Sequence, residues 1–376
     1  MKLKLPDYDN CLTNLTNSIL KHFGAETKHG TLNELDTYLN LNDYKNIVLL
    51  LYDGLGSNLL KRNLAKEAFL NKHTIKSITS VFPSTTTAST TTVLSGLNPV
   101  EHCWLGWDIY VESYDKTVTM FLNVLKGTQT TASDKHIAHD EFPYKDIFDQ
   151  INETQNAKAY CISPFGGSVY NKDTPDEMYD RILEMCDTDE RKFIYAYYPE
   201  PDALMHEFGT AHDKVIRKME YINMKTEELC RNLKDSLIII TADHGHIDAE
   251  NIVIEDYPEF QDMLIRETSL ERRVTNFFVK KDRLKEFKTK FKEICGEDFL
   301  LLSKQEVIEQ NWFGTGGPNS KFYSCLGDYV SIAISDKAIY DRKKHVKEKA
   351  LHAGITEDEV LVPLIIIDKK IAKNAE

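Results

Sequence analysis

Acidic side chains follow three apolar segments of the sequence, each at the point where the segment ends. Asp53 ends NIVLLLYD, Asp202 ends FIYAYYPEPD, and Asp243 follows LIIITA. Ligands of open α/β sheets bind outside the carboxyl ends of the strands, so we expect these three carboxylates to meet at one sheet edge. Their charges would repel each other and would be costly to desolvate. The placement therefore indicates a site for divalent cations.

Histidines accompany two of these acids. Asp202 and His206 are four residues apart, so on a helical turn they share one face and can hold the same ion. His244 directly follows Asp243, and two neighbouring side chains after a strand can point toward different ions. Mixed oxygen and imidazole ligands suit zinc, and manganese or iron is also compatible with them.

A hydroxyl-rich segment, FPSTTTASTTT at 82–92, offers a nucleophile. If Ser84 or Thr85 caps a following helix, the next hydroxyl lies at the helix N-terminus, where free N–H groups and the dipole favour anions. A threonine alkoxide there, next to a metal, would be an activated nucleophile for phosphoryl transfer. Capping and local side-chain hydrogen bonds explain a threonine-rich segment equally well.

The segments that must position these residues alternate between strands and helices. Four apolar runs are typical of strands buried on both faces of a sheet, at 46–51, 193–197, 237–241 and 361–367. Helical spacing of apolar residues predicts a helix over 213–233. Strands separated by helices predict an α/β fold, with a mostly parallel central sheet and helices on both faces. Residues 269–336 predict a small α+β insert or cap, which leaves 1–268 and 337–376 as the core.

Composition limits the partners of the protein. The chain has 376 residues and a formal net charge of −13, so it would repel DNA and anionic membranes. A small anionic substrate is still compatible, because bound cations would dominate the local field. The N-terminus lacks the apolar core of a signal peptide, and no apolar run approaches the roughly 18 residues of a membrane span. We therefore expect a cytoplasmic protein, whose oligomeric state does not follow from its sequence.

Six segments, in chain order, resemble the type I phosphodiesterase and nucleotide pyrophosphatase branch of the alkaline phosphatase superfamily. They are YDGLG at 52–56, FPSTT at 82–86, SGLNPVEH at 95–102, EPDALMHEFG at 200–209, TADHGH at 241–246 and HAGITEDEVLVPLII at 352–366. The resemblance implies an alkaline phosphatase-like fold and two divalent ions, with Zn²⁺ the first choice and Mn²⁺ the second. It implies one ion on Asp202, His206 and His352, and the other on Asp53, Asp243, His244 and Thr86.

The resemblance also implies a reaction. Thr86 would attack phosphorus and form a phosphothreonine, which water would then hydrolyse. The substrate would be a small phosphorylated molecule with a phosphodiester or nucleotide pyrophosphate bond. An ungapped count puts Trp107 where the family has an asparagine that contacts the phosphate. Trp104, Trp107 and Tyr110 could stack on a base or pack into an apolar wall.

Other functions stay open. The same site could serve a phosphonate hydrolase of the phosphonoacetate type or a phosphomonoesterase. A monoester carries an extra charge that needs another arginine or lysine. No arginine lies between Arg62 and Arg181, although folding could bring Arg272 or Arg273 close. An inactive metal-binding or sensor protein is the alternative from a different class.

Three further histidines, His102, His212 and His246, lie near the motifs. We interpret them as supporting residues, and His246 could orient a ligand carboxylate.

Overall fold

The structure, a computed structural model, describes residues 1–164 and 175–370. Its strands within these ranges are β1 (Asn46–Tyr52), β2 (Thr74–Thr79), β3 (Asp108–Val111), β4 (Lys116–Thr119), β5 (Val124–Leu125), β6 (Lys158–Ile162), β7 (Lys192–Tyr198), β8 (Ser236–Thr241), β9 (Ile247–Asp248), β10 (Glu250–Val253), β11 (Ser269–Leu270), β12 (Val274–Phe277), β13 (Phe299–Ser303), β14 (Tyr329–Ala333), β15 (Lys337–Tyr340), β16 (Ala350–Leu351) and β17 (Leu361–Asp368).

The helices of the same ranges are α1 (Leu12–His22), α2 (Asn33–Leu41), α3 (Ser57–Asn63), α4 (Phe69–Lys72), α5 (Thr86–Ser95), α6 (Pro99–His102), α7 (Ile137–Glu141), α8 (Ile147–Glu153), α9 (Asp176–Cys186), α10 (Asp202–Phe208), α11 (Asp213–Asn232), α12 (Pro258–Gln261), α13 (Leu284–Cys295), α14 (Lys304–Glu309), α15 (Phe322–Cys325) and α16 (Glu357–Val360). Within the described ranges, no helix is both long enough and apolar enough to cross a membrane.

Six strands form the central sheet in the order β2-β17-β8-β1-β7-β6. β8, β1, β7 and β6 pair in parallel, and β17 is antiparallel to both of its neighbours. Every residue of β1, β7 and β8 is buried, as expected for strands covered on both faces. Residues of α1, α2, α8, α9 and α11 pack in the same apolar core. The predicted α/β fold with a mostly parallel central sheet is confirmed.

A second sheet of seven antiparallel strands has the order β13-β14-β12-β11-β3-β4-β5. It takes β3, β4 and β5 from before the central strands β6–β8, and its other strands from after them. The segment 269–336 therefore does not build this sheet alone. The division of the chain into a core and an insert at 269–336 stays a prediction.

The register of the central sheet brings three strand ends to one level. β1 lies between β7 and β8, where Tyr52 pairs with Tyr198 and Leu51 pairs with Thr241. The residues that follow these strands therefore leave the sheet side by side at its carboxyl edge.

Candidate active site

The three carboxylates predicted from the strand ends meet at this edge. The backbone N–H of Asp202 donates to the Asp53 carbonyl at 3.2 Å, and the Gly54 N–H donates to a carboxylate oxygen of Asp243 at 3.0 Å. Gly54 has a φ of 72°, and a Cβ there would lie 3.1 Å from Asp202, so the turn after β1 requires glycine. The Tyr197 hydroxyl donates to Oδ2 of Asp53, a contact that no sequence motif indicated.

Two groups of candidate ligands share Asp202. The first donor group is Asp202, His206, His246 and His352, and the second donor group is Asp53, Asp202 and His244. Within each group, one nitrogen or oxygen atom per residue lies within 4.8 Å of the others. Asp243 borders the second donor group, because its Oδ2 is 3.5 Å from Nε2 of His244. The six carboxylate and histidine ligands predicted from the sequence therefore lie together.

Three histidines of this centre have their rings fixed by the backbone. His206, His244 and His352 each place Nδ1 against a backbone carbonyl, at 2.8, 3.2 and 3.2 Å. A carbonyl only accepts, so Nδ1 carries the hydrogen and Nε2 keeps its lone pair for a metal. Burial lowers the pKa of His244 to about 3 and also lowers the pKa of His352, so both rings are neutral at pH 7.

The carboxylates lack the partners that burial demands. Asp53 Oδ1 and Asp243 Oδ2 are buried without a hydrogen bond. Burial, followed by repulsion from Asp202 and Asp243, raises the pKa of Asp53, and burial raises the pKa of Asp243 to about 7. Burial also acts to raise the pKa of Asp202, but His206 and His246 lower it by more. Buried oxygens without partners are costly, and a cation would satisfy both. The donor set therefore fits divalent metal ions.

Thr86 is the first residue of α5, and its Oγ1 lies 3.1 Å from Nε2 of His244. Thr85 is the N-cap residue, but its hydroxyl donates to Oε1 of Glu271 at 2.6 Å instead of capping the helix. The Thr87 hydroxyl is buried without a partner. Of these three threonines, Thr86 is the one whose hydroxyl contacts a candidate metal ligand.

A cavity of about 260 Å³ opens over the centre. It is lined by Thr85, Thr86, Trp107, Asp202, His206, Glu271, Arg272, Glu348, Leu351 and His352. Sequence reasoning missed Glu271 and Glu348, which lie outside every motif. Burial raises the pKa of Glu271 to about 7, although Thr85 and the Trp107 N–H donate to this carboxyl.

Arg272 and Arg273, the two arginines that folding could bring close to the threonine segment, lie in different environments. Arg272 lines the cavity, whereas Arg273 is fully buried in an ion pair with Glu359.

The three aromatic residues after the threonine segment also lie in different environments. Trp104 is 1% exposed and donates its indole N–H to the Phe142 carbonyl, so it belongs to the core. Tyr110 packs under the guanidinium of Arg266. Trp107 is 38% exposed in the cavity wall, so its indole is available to a ligand.

Of the three histidines interpreted as supporting residues, His246 belongs to the first donor group, whereas His102 and His212 belong to neither group. Nε2 of His246 lies 2.5 Å from a carboxylate oxygen of Asp202, and its role in orienting that carboxylate stays a prediction. His102 is fully buried, and Nδ1 of His212 accepts the Lys214 N–H at the start of α11.

This chain is similar to known proteins in sequence and in structure. The sequence model of type I phosphodiesterase / nucleotide pyrophosphatase matches residues 47–310. No curated protein sequence matches the chain. Murine ectonucleotide pyrophosphatase / phosphodiesterase 5 has a similar structure, with a TM-score of 0.66 and 15% identity over 85% of this chain and 87% of the murine chain. The human protein of that name gives 0.66 and 15%, over 86% of this chain and 91% of its own.

A third similar structure is phosphonoacetate hydrolase from Sinorhizobium meliloti 1021, in complex with phosphonoformate. Its TM-score is 0.61 and its identity 14%, over 87% of this chain and 90% of the hydrolase. At such identities the likeness shows the fold alone, which is alkaline phosphatase-like. The family resemblance is confirmed by the match over 47–310, which contains five of the six sequence segments; the sixth, at 352–366, lies outside it. The chain belongs to the type I phosphodiesterase / nucleotide pyrophosphatase family.

Proposed function

We propose that the protein is a two-metal hydrolase of phosphodiester or nucleotide pyrophosphate bonds, with Thr86 as its nucleophile. The observation that carries the proposal is the convergence of the Thr86 hydroxyl with the two donor groups beside one cavity. The partnerless oxygens of Asp53 and Asp243 support bound cations there. Membership of the family supports the class of reaction.

The ligand assignment follows the sequence motifs. Asp202, His206 and His352 would hold one ion, and Asp53, Asp243, His244 and Thr86 would hold the other. Zinc suits this mixture of carboxylate and imidazole, and manganese is the alternative. Bound divalent ions would neutralise phosphate charge and favour the deprotonated form of a hydroxyl or water.

The chain itself positions the nucleophile. Thr86 begins a helix of ten residues, so free N–H groups and the positive end of the dipole lie beside the reacting phosphate. Thr86 Oγ1 would form a bond to phosphorus while the bond to the leaving oxygen breaks. Water would then displace the phosphate from the phosphothreonine, which restores the Thr86 hydroxyl and releases the product.

Two observations support a nucleotide as the substrate. A structure of the murine relative, in an inactive variant, contains AMP. In this chain, Trp107 exposes 38% of its surface at the cavity, where its indole could stack on a base.

The test compares zinc-loaded wild type with Thr86→Ala and with the matched control Thr87→Ala. Their substrates are bis-p-nitrophenyl phosphate, p-nitrophenyl phosphate and phosphonoacetate, and the metal content of each protein is measured in parallel. We expect diester hydrolysis to be lost in Thr86→Ala, with both ions retained, and to persist in Thr87→Ala.

Other outcomes of this test would favour a different function or a different nucleophile. A preference for the monoester or for phosphonoacetate, with the same dependence on Thr86, would indicate a phosphomonoesterase or a phosphonate hydrolase. No turnover of any substrate with both ions bound would support an inactive metal-binding protein. Unchanged diester hydrolysis by Thr86→Ala would refute the proposed nucleophile.

A further inference from the structure

The wall of the cavity includes one permanently charged cation. Among the described residues that line the cavity, Arg272 is the one arginine, and lysine is absent. Its side chain is 25% exposed, so the guanidinium is accessible without being free in solvent. A phosphate bound at Thr86 would therefore have one permanently charged side chain within the same cavity.

Arg272 is held in place from two sides. Its guanidinium lies 5.1 Å from the centre of the Tyr340 ring, and the Tyr340 hydroxyl is fixed by Glu348 at 2.8 Å. Its Nη1 is 3.6 Å from a carboxylate oxygen of Asp108. Arg272 therefore loses little conformational freedom when it binds a ligand.

The ion pair with Asp108 leaves the hydrogen-bonding capacity of Arg272 largely available. A separation of 3.6 Å is longer than a hydrogen bond, and a guanidinium has five N–H donors. The other oxygen of Asp108 accepts the Thr119 hydroxyl at 2.6 Å, so this carboxylate is itself engaged. Such a guanidinium suits a planar or tetrahedral oxyanion.

The acidic residues of the same wall are also engaged. Glu271 accepts the Thr85 hydroxyl and the Trp107 N–H through Oε1, at 2.6 and 2.7 Å. Glu348 accepts the Tyr340 hydroxyl. Neither carboxylate lies at salt-bridge distance from Arg272, whose ion pair is with Asp108.

We propose that Arg272 determines specificity by binding a second phosphate of the substrate, adjacent to the one that Thr86 attacks. The preferred substrates are then nucleoside diphosphate esters rather than simple phosphodiesters. This inference rests on the proposed hydrolase function and narrows it.

The test uses two thymidine substrates that differ in the second phosphate. One is thymidine 5′-diphosphoglucose, and the other is the p-nitrophenyl ester of thymidine 5′-monophosphate. In Arg272→Gln, kcat/KM for the diphosphate should fall about 10- to 100-fold, the loss expected for hydrogen bonds to a charged group. The kcat/KM for the monophosphate ester should change by less than about 3-fold, because this substrate has no second phosphate for Arg272 to bind.

Arg266→Gln is the matched control. Arg266 has a similarly exposed side chain, at 27%, also lies over a tyrosine ring and also pairs with an aspartate, but it does not line the cavity. Neither substrate should be affected in this variant. Arg272→Lys keeps the charge without the planar fork, so it should show a smaller selective loss on the diphosphate. It also provides the test if Arg272→Gln does not fold.

The outcomes separate this inference from the proposed function. Wild type that hydrolyses neither substrate would contradict the hydrolase itself. Thr86-dependent hydrolysis of both, with equal losses or no loss in the Arg272 variants, would overturn the role of Arg272 alone. A selective loss on the p-nitrophenyl ester of thymidine 5′-monophosphate instead of the diphosphate would also overturn it, because Arg272 would then bind the attacked phosphate.

Discussion

Arg273 and Glu359 form a two-pronged ion pair in which both side chains are 0% exposed. Nε of Arg273 lies 2.5 Å from Oε1 of Glu359, and Nη2 lies 2.9 Å from Oε2. Glu359 also accepts the Gly354 N–H at 2.7 Å, two residues after His352. The pair therefore ties the start of β12 to the loop that carries a candidate metal ligand.

Replacing Arg273 with methionine should destabilise the metal-free protein by about 3–5 kcal/mol, because it leaves the Glu359 charge buried without a partner. Urea unfolding of the metal-free protein measures this difference. The control is Arg283→Met, which breaks an exposed pair with Glu286 and should cost less than about 1 kcal/mol. Equal losses in the two variants would show that burial does not decide the strength of these pairs.

Each of the two proposed ions should be lost separately when one of its own ligands is replaced. His206→Ala removes a ligand of one proposed ion and Asp243→Asn removes a ligand of the other, so each variant should retain about one zinc per chain where wild type retains about two. Elemental analysis after gel filtration measures the content. His212→Ala serves as a histidine control at the start of α11 and should keep the wild-type content. A His206 or Asp243 variant that keeps both ions would contradict the assignment of that residue.

A buried pair away from the centre should make stability depend on acid. Asp341 lies 2.5 Å from Nζ of Lys126, and the side chains are 6% and 4% exposed. Burial acts to raise the pKa of Asp341, but the charge and hydrogen bond of Lys126 and the hydrogen bonds of Thr268 lower it by more. The folded-state pKa is therefore below the unfolded value of about 3.9. The stabilisation is present above that value and is lost as pH falls through the folded-state pKa.

Wild type should accordingly exceed Asp341→Asn in unfolding free energy by a constant amount above about pH 5, and this difference should shrink below about pH 4. Urea unfolding of both metal-free proteins between these pH values measures it. The metal ligands titrate in both proteins, so their contribution cancels. A difference that stays constant to the lowest pH would exclude a depressed pKa at Asp341.

Substitutions of Thr86 should separate the hydroxyl from the methyl group. Thr86→Ser keeps an oxygen at the first residue of α5 but loses the methyl group that restricts its rotamer, so kcat/KM should fall by up to about 100-fold. Thr86→Val has a similar shape without the oxygen and should lose about 1,000-fold or more. Initial rates on bis-p-nitrophenyl phosphate measure both. Equal activity of the two variants would mean that the hydroxyl is not the nucleophile.

The sequence by itself determined several of the central strands and the acidic residues that follow them. Strands buried on both faces of a parallel sheet are continuously apolar, so β1, β7 and β8 could be recognised from local sequence. Their acids follow at the strand ends, and the motifs around Asp53 and Asp202 added the family. These features are short in sequence, which is why they could be predicted without a structure.

Only the tertiary structure decided what faces the candidate ligands. Trp107 and Arg272 share a cavity because β3 pairs with β11, where Asp108 lies opposite Leu270. Antiparallel pairing between distant segments leaves no local pattern, since either strand would look the same beside another partner. The tertiary structure also decided which of the sequence neighbours Arg272 and Arg273 is accessible to a ligand. Their side chains are 25% and 0% exposed. Whether a charged residue belongs to a site depends on the cavity around it, and segments distant in sequence form that cavity.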